Sequence, residues 1–150
     1  MFKKLSSGYK ISVPGLFSTL VFFFLPWVLS SCGNDPMRQY SGWQLAAGTP
    51  EAGQGYNGNI VVLLFLVAAL VLLFFAFRST QRTSLTAWDS YGVAVISIIV
   101  IFSLFQQFLT TPEEGINREI LYGLWGYLAG WLIVLIGGVV NIVERQKRPS

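Results

Sequence analysis

The sequence predicts an all-α fold: a single integral membrane domain over residues 1–150, a bundle of four transmembrane helices with a glycine-rich outer loop. Three observations lead there. Only 11% of the residues are charged and 53% are hydrophobic, whereas a soluble domain carries about 25% charge. Four stretches of about 18 residues or more lack any charge and take up about half the chain, the length a helix needs to cross a bilayer. The cations, finally, collect on one side of those stretches.

The first stretch, Ile11 to Leu29, predicts a span over about residues 11–31, although Pro14 and Pro26 limit its regular helix. The second is the clearest. Ile60 to Phe77 runs 18 residues without a polar side chain, inside a span of about 59–78. With each Leu, Ile, Phe or Val favoured by a few tenths of a kcal/mol, its insertion is favourable by several kcal/mol. Tyr91 to Leu109 gives a third span over about 90–109, interrupted by Ser97, Ser103 and the pair Gln106–Gln107. Leu121 to Val140 is uncharged for 20 residues and predicts a fourth over about 119–143.

Lys and Arg are retained on the cytoplasmic side of short loops. With both termini inside, the inner segments hold eight cations and two acids, the outer ones two cations and five acids. The net charge of +3 and the pI of about 9.2 thus read as a topology signal, not as a nucleic-acid footprint. This predicts a multi-pass protein of the plasma (inner) membrane with cytoplasmic termini. Thr111-Pro112-Glu113-Glu114 has the form of a helix start, so the fourth helix is expected to begin at Pro112, with Glu114 and Arg118 as an i,i+4 ion pair. Thr86-Ala87-Trp88-Asp89 offers a weaker start to the third. Trp27, Trp88, Trp125 and Tyr122 fall near predicted span ends, as an interfacial belt would place them.

The outer loop, residues 32–58, holds six glycines and two prolines and is expected to be largely irregular. One piece reads as ordered. Ser41-Gly42-Trp43-Gln44 has capping-box spacing and Gly48 stands where a short helix would stop. A helix from Gly42 to Ala47 would lay Trp43 and Leu45 against the membrane surface or the bundle ends, as a lid or as a partner-docking patch.

The run Leu25-Pro26-Trp27-Val28-Leu29-Ser30-Ser31-Cys32-Gly33, followed by Ser41-Gly42-Trp43-Gln44-Leu45-Ala46-Ala47-Gly48, resembles a pattern in uncharacterised small bacterial four-span membrane proteins. In them an LP-aromatic-V…SC motif ends the first span and an SG…LA.G segment follows in the exported loop. The resemblance implies a bacterial plasma membrane and supplies no chemistry.

Cys32 is the most distinctive single residue. Leu29-Ser30-Ser31-Cys32 fits a lipobox behind a basic segment and an apolar stretch, so cleavage before a lipid-modified Cys32 is one reading. A retained first helix with a free outer thiol is another, and an intermolecular disulfide a third. The apolar stretch of about 19 residues exceeds the roughly 7–15 of a signal segment, which favours retention. In the fourth span Gly126 and Gly130 form a GxxxG, and Gly137 and Asn141 continue that face. Small residues let helix backbones approach closely, either within this bundle or against another subunit. Gln106 and Gln107 lie about one turn from the outer boundary and read as interfacial or as hydrogen bonders between helices.

None of the four uncharged stretches contains a charged residue of the kind a transport path or proton relay uses. With no histidine and one cysteine, and without phosphate-loop, dinucleotide, CxxC, HExxH or GxSxG motifs, the sequence points to no cofactor, no metal site and no catalytic residue. The expected function is that of an accessory or structural membrane protein, a small subunit or scaffold in the lipid bilayer. It would act through helix-helix contacts with other membrane subunits or with itself. Alternatives are a small oligomeric channel or transporter around Gln106–Gln107, a lipoprotein anchored at Cys32, and an outer-face enzyme using Glu113, Glu114 or Cys32.

Overall fold

The structure, a computed structural model, describes residues 6–32, 38–48, 59–79, 87–109 and 116–147. In chain order the elements are α1 (Ser7–Phe23), β1 (Pro26–Cys32), β2 (Arg38–Ser41), α2 (Gly42–Ala47), α3 (Ile60–Ser79), α4 (Ala87–Leu104) with a π-helical continuation (Phe105–Leu109), β3 (Ile116–Ile120) and α5 (Tyr122–Gln146). Three helical segments, Ile60–Phe77, Tyr91–Phe108 and Tyr122–Glu144, are long and apolar enough to cross a membrane.

The first expected span is therefore two elements. Its helix stops at Phe23, and the residues from Pro26 to Cys32 form a strand. Proline explains the break: it removes a backbone donor and pushes Leu25 out of the helical region. The chain leaves α1 through a tight turn, with the Phe24 and Leu25 amides bonded to the Val21 and Phe22 carbonyls at 3.2 and 3.3 Å. Trp27 and Val28 then suit an extended backbone. At 17 residues α1 spans only about 25 Å, short of a roughly 30 Å hydrocarbon core.

The expected start of the fourth helix at Pro112 is also corrected. Ile116–Ile120 is a strand, and α5 begins only at Tyr122. Arg118 stands in extended backbone, so it makes no i,i+4 helical pair with Glu114; the Thr111–Glu114 motif itself lies outside the described residues. The all-α expectation thus gives way to a helical fold with one small sheet, ordered β2-β1-β3 and antiparallel throughout. Val28 sits opposite Tyr40 on one side and Ile120 on the other, and Cys32 opposite Ile116. An irregularity between Pro26 and Val28 breaks strict alternation, which lets Trp27 and Val28 both turn inward.

α1 packs chiefly on α5, α5 also on α4, and α1 also on α3. Each outer helix buries a single stripe: Val62, Phe65, Ala69, Leu72 and Ala76 on α3, and Val93, Ser97, Val100 and Leu104 on α4. Their other faces carry exposed Ile, Leu, Val and Phe, such as Leu64, Phe74, Ile98 and Phe102, the surface a bilayer solvates. The sheet and α2 close the end of the bundle where α1 finishes and α3 and α5 begin. Trp27 is fully buried there, its ring centroid 4.7 Å from that of Tyr127, 5.6 Å from Phe23 and 5.7 Å from Phe108. It is a core residue, not a member of an interfacial belt; Tyr122 and Trp125 do stand exposed, and the Trp88 side chain lies outside the described residues.

Candidate functional site

The small-residue face of α5 meets α1 of the same chain. A methyl group added at Gly130 would lie 2.7 Å from Thr19 Cγ2 and 3.1 Å from the Gly15 carbonyl, and one added at Gly15 would lie 2.9 Å from the Gly130 carbonyl. Further along, Gly137 faces Ser12 and Gly8, while Gly126 faces the Phe22 ring. Two backbones in such contact gain dispersion over their whole length, the main attraction left when lipid replaces water. The face formed by Gly126, Gly130, Gly137 and Asn141 is thus covered by this chain's own first helix. Its complement on α1, Gly8, Ser12, Gly15 and Thr19, escaped the sequence reading. The spacing of four, three and four residues is the signal that marks it, within a stretch whose Pro14 and Pro26 speak against regular helix.

Three buried hydroxyl groups at this depth are satisfied by backbone carbonyls. Thr19 Oγ1 donates to the Leu16 carbonyl at 2.7 Å, Ser97 Oγ to the Val93 carbonyl at 2.8 Å, and Ser12 Oγ to the Val134 carbonyl on the facing helix at 3.3 Å. At the end opposite the cap, Ser6 Oγ donates to Asn141 Oδ1 at 2.5 Å and clasps the two helices.

The cap positions the two outer-loop candidates differently. Ser41 and Gln44 form the capping box: the Gln44 amide donates to Ser41 Oγ at 3.2 Å and the Ser41 amide to Gln44 Oε1 at 2.9 Å. Gly48 ends the helix with φ of 81°, a value that favours glycine. α2 turns Leu45 into the core and leaves Trp43 exposed, tilted against Phe24 with centroids 6.2 Å apart. Gly42 backs onto the Trp27 indole. The Asn59 amide donates to the Leu45 carbonyl at 2.9 Å, and Asn59 Oδ1 accepts from the Val61 amide at 2.9 Å, so one asparagine ties α2 to α3 and caps the latter.

The backbone of Cys32 lies at the end of β1, the middle strand. Gln106 and Gln107 fall on the π-helical turn, Gln106 exposed and Gln107 half-buried. Glu113 and Glu114 lie outside the described residues. Beside that turn a shallow apolar groove runs between Leu104, Phe105, Leu124, Trp125 and Leu128. Comparison with protein-family models, with curated proteins and with solved structures gives no match.

Proposed function

We propose that this chain is an accessory or structural protein of a bacterial plasma membrane, a small subunit or scaffold that acts through contacts and carries out no reaction. The observation that supports it most is the division of the surface. α3, α4 and α5 offer apolar faces suited to lipid, while the cap is held by a sheet, a capping box and the buried Trp27, with Trp43 exposed on it. The eight-to-two division of cations supports cytoplasmic termini, with the cap outside. The likeness to small bacterial four-span proteins supports the same membrane. Because α1 covers the glycine face of α5, the contact with a partner or with a second copy falls to the cap around Trp43 and to the outer faces of α3 and α4.

The test is purification of the full chain from native membranes in mild detergent, as wild type and as Trp43→Ala. A stable complex or oligomer that Trp43→Ala weakens, while the fold is retained, supports the proposal. A single-copy species free of other chains overturns it. The π-helical turn favours a second reading, a small oligomeric channel or transporter, since such turns often mark functional positions. Flux in vesicles that Gln106→Leu with Gln107→Leu abolishes would put that reading first.

A further inference from the structure

The two helices at the centre of the bundle present outward stripes of very different length. On α5 the exposed positions Trp125, Ala129, Leu132, Ile136, Val139 and Val143 make one apolar stripe, about 27 Å long at 1.5 Å per residue. On α1 the exposed stripe is Ser7, Lys10, Pro14, Phe17, Val21 and Phe24, and only the last four are apolar. That apolar part is about 15 Å long.

Both stripes start level at the cap. Phe22 faces Gly126 and the Pro26 carbonyl faces Gly123, which sets Phe24 at the height of Trp125. They end at different heights. Gly8 faces Gly137 and Asn141, and Ser12 Oγ donates to the Val134 carbonyl, so Lys10 stands near the height of Gly137. Val143 lies six residues further along α5, which places Lys10 about 9 Å inside the end of the neighbouring apolar stripe. Lys10 is exposed and makes no ion pair with a described residue. Its stem points back toward the start of α1 and recovers part of that distance, while the exposed Ser7 lies inside the same end. An ammonium held in hydrocarbon is costly, and headgroups and water drawn inward to meet it relieve the cost.

We propose that the exposed face of α1 is a lipid-binding surface that thins the bilayer. Phospholipid headgroups of the leaflet at the start of α1 sink to the height of Lys10, and their phosphates meet its charge. The occupant is the bilayer itself, because α1 lies against both α3 and α5 and its apolar stripe continues the faces they turn to lipid. The proposal rests on the reading of α5 as a membrane span.

The test measures depth in the full-length protein, reconstituted in phosphatidylcholine with phosphatidylglycerol. With Cys32, the only cysteine, replaced by serine, one nitroxide is attached at Pro14→Cys on α1 or at Leu132→Cys, at nearly the same height on α5. Relaxation by oxygen against a water-soluble nickel chelate reads how deep each label sits. The α1 label is expected about 9 Å shallower than the α5 label. Lys10→Leu should move it inward and leave the α5 label in place. Phe17→Cys, which keeps Pro14, gives a second reading on the same stripe. Equal depths for the two labels, or a shallow α1 label that Lys10→Leu leaves unmoved, overturn the proposal. An α1 label shielded from both relaxants means that protein, a second copy, covers the stripe, and overturns it as well. A water-exposed label at Leu132 would remove the span itself, a failure distinct from that of the thinning.

Discussion

Replacing Gly137 with alanine measures how tightly α1 and α5 are joined. The added methyl group would collide with Ser12 Oγ and, more seriously, with backbone: the Ser12 amide nitrogen would be 2.9 Å away and the Gly8 carbonyl oxygen nearer still. Backbone atoms of two helices cannot step aside separately, so the helices must part. Overpacking of this kind costs about 1–3 kcal/mol, and the upper end applies where backbone is struck. Alanine returns up to about 1 kcal/mol through helix propensity. The net loss is then about 2 kcal/mol, which for a chain of this size lowers the melting temperature by about 4–8 °C. Buried Trp27 and Trp131 make tryptophan fluorescence in mild detergent a direct reporter. Gly92→Ala is the control, because nothing lies within 4 Å of a methyl group there; it should be neutral or slightly stabilising. Equal behaviour of the two variants would refute close packing of α1 on α5.

Three further outcomes are expected. Trp27→Ala should cost about 3–5 kcal/mol through the cavity it leaves, and limited proteolysis should then cut the cap segment before the helices. Ser41→Ala should remove about 1 kcal/mol from α2 by deleting one half of its capping box, seen as faster amide exchange over Gly42–Ala47 while α3 stays protected. Intact-mass measurement of protein from its native membrane should find residues 1–31 attached to Cys32, because cleavage there would remove both α1 and most of the middle strand; a lipid-modified chain beginning at Cys32 would contradict this.

How far the sequence could be read depended on whether local chemistry decided the outcome. α3 was legible because 18 apolar residues leave few alternatives to a buried helix, and α2 because its capping box and Gly48 act within a few residues. β1 was hidden because absence of charge marks burial without marking conformation. Pro26 was the one local sign that the apolar run changes structure. β3 was further out of reach: its partner Val28 lies some ninety positions earlier, and the preceding Thr-Pro-Glu-Glu advertised a helix. Asn141 was picked out by its spacing from the glycines, whereas its bond to Ser6 rests on a helix pairing that no local signal announces.

The position of β1 between β2 and β3 has a consequence for biogenesis. One edge of that strand can be matched as soon as the chain has advanced to Arg38–Ser41, but its other edge waits for Ile116–Ile120, which are synthesised after α3 and α4. Until then the nascent protein carries an open strand edge, an invitation to pair with the wrong segment. Closing the sheet is therefore coupled to delivery of the final helix, and a chain halted before residue 116 would display the unfinished edge to whatever machinery inspects new membrane proteins.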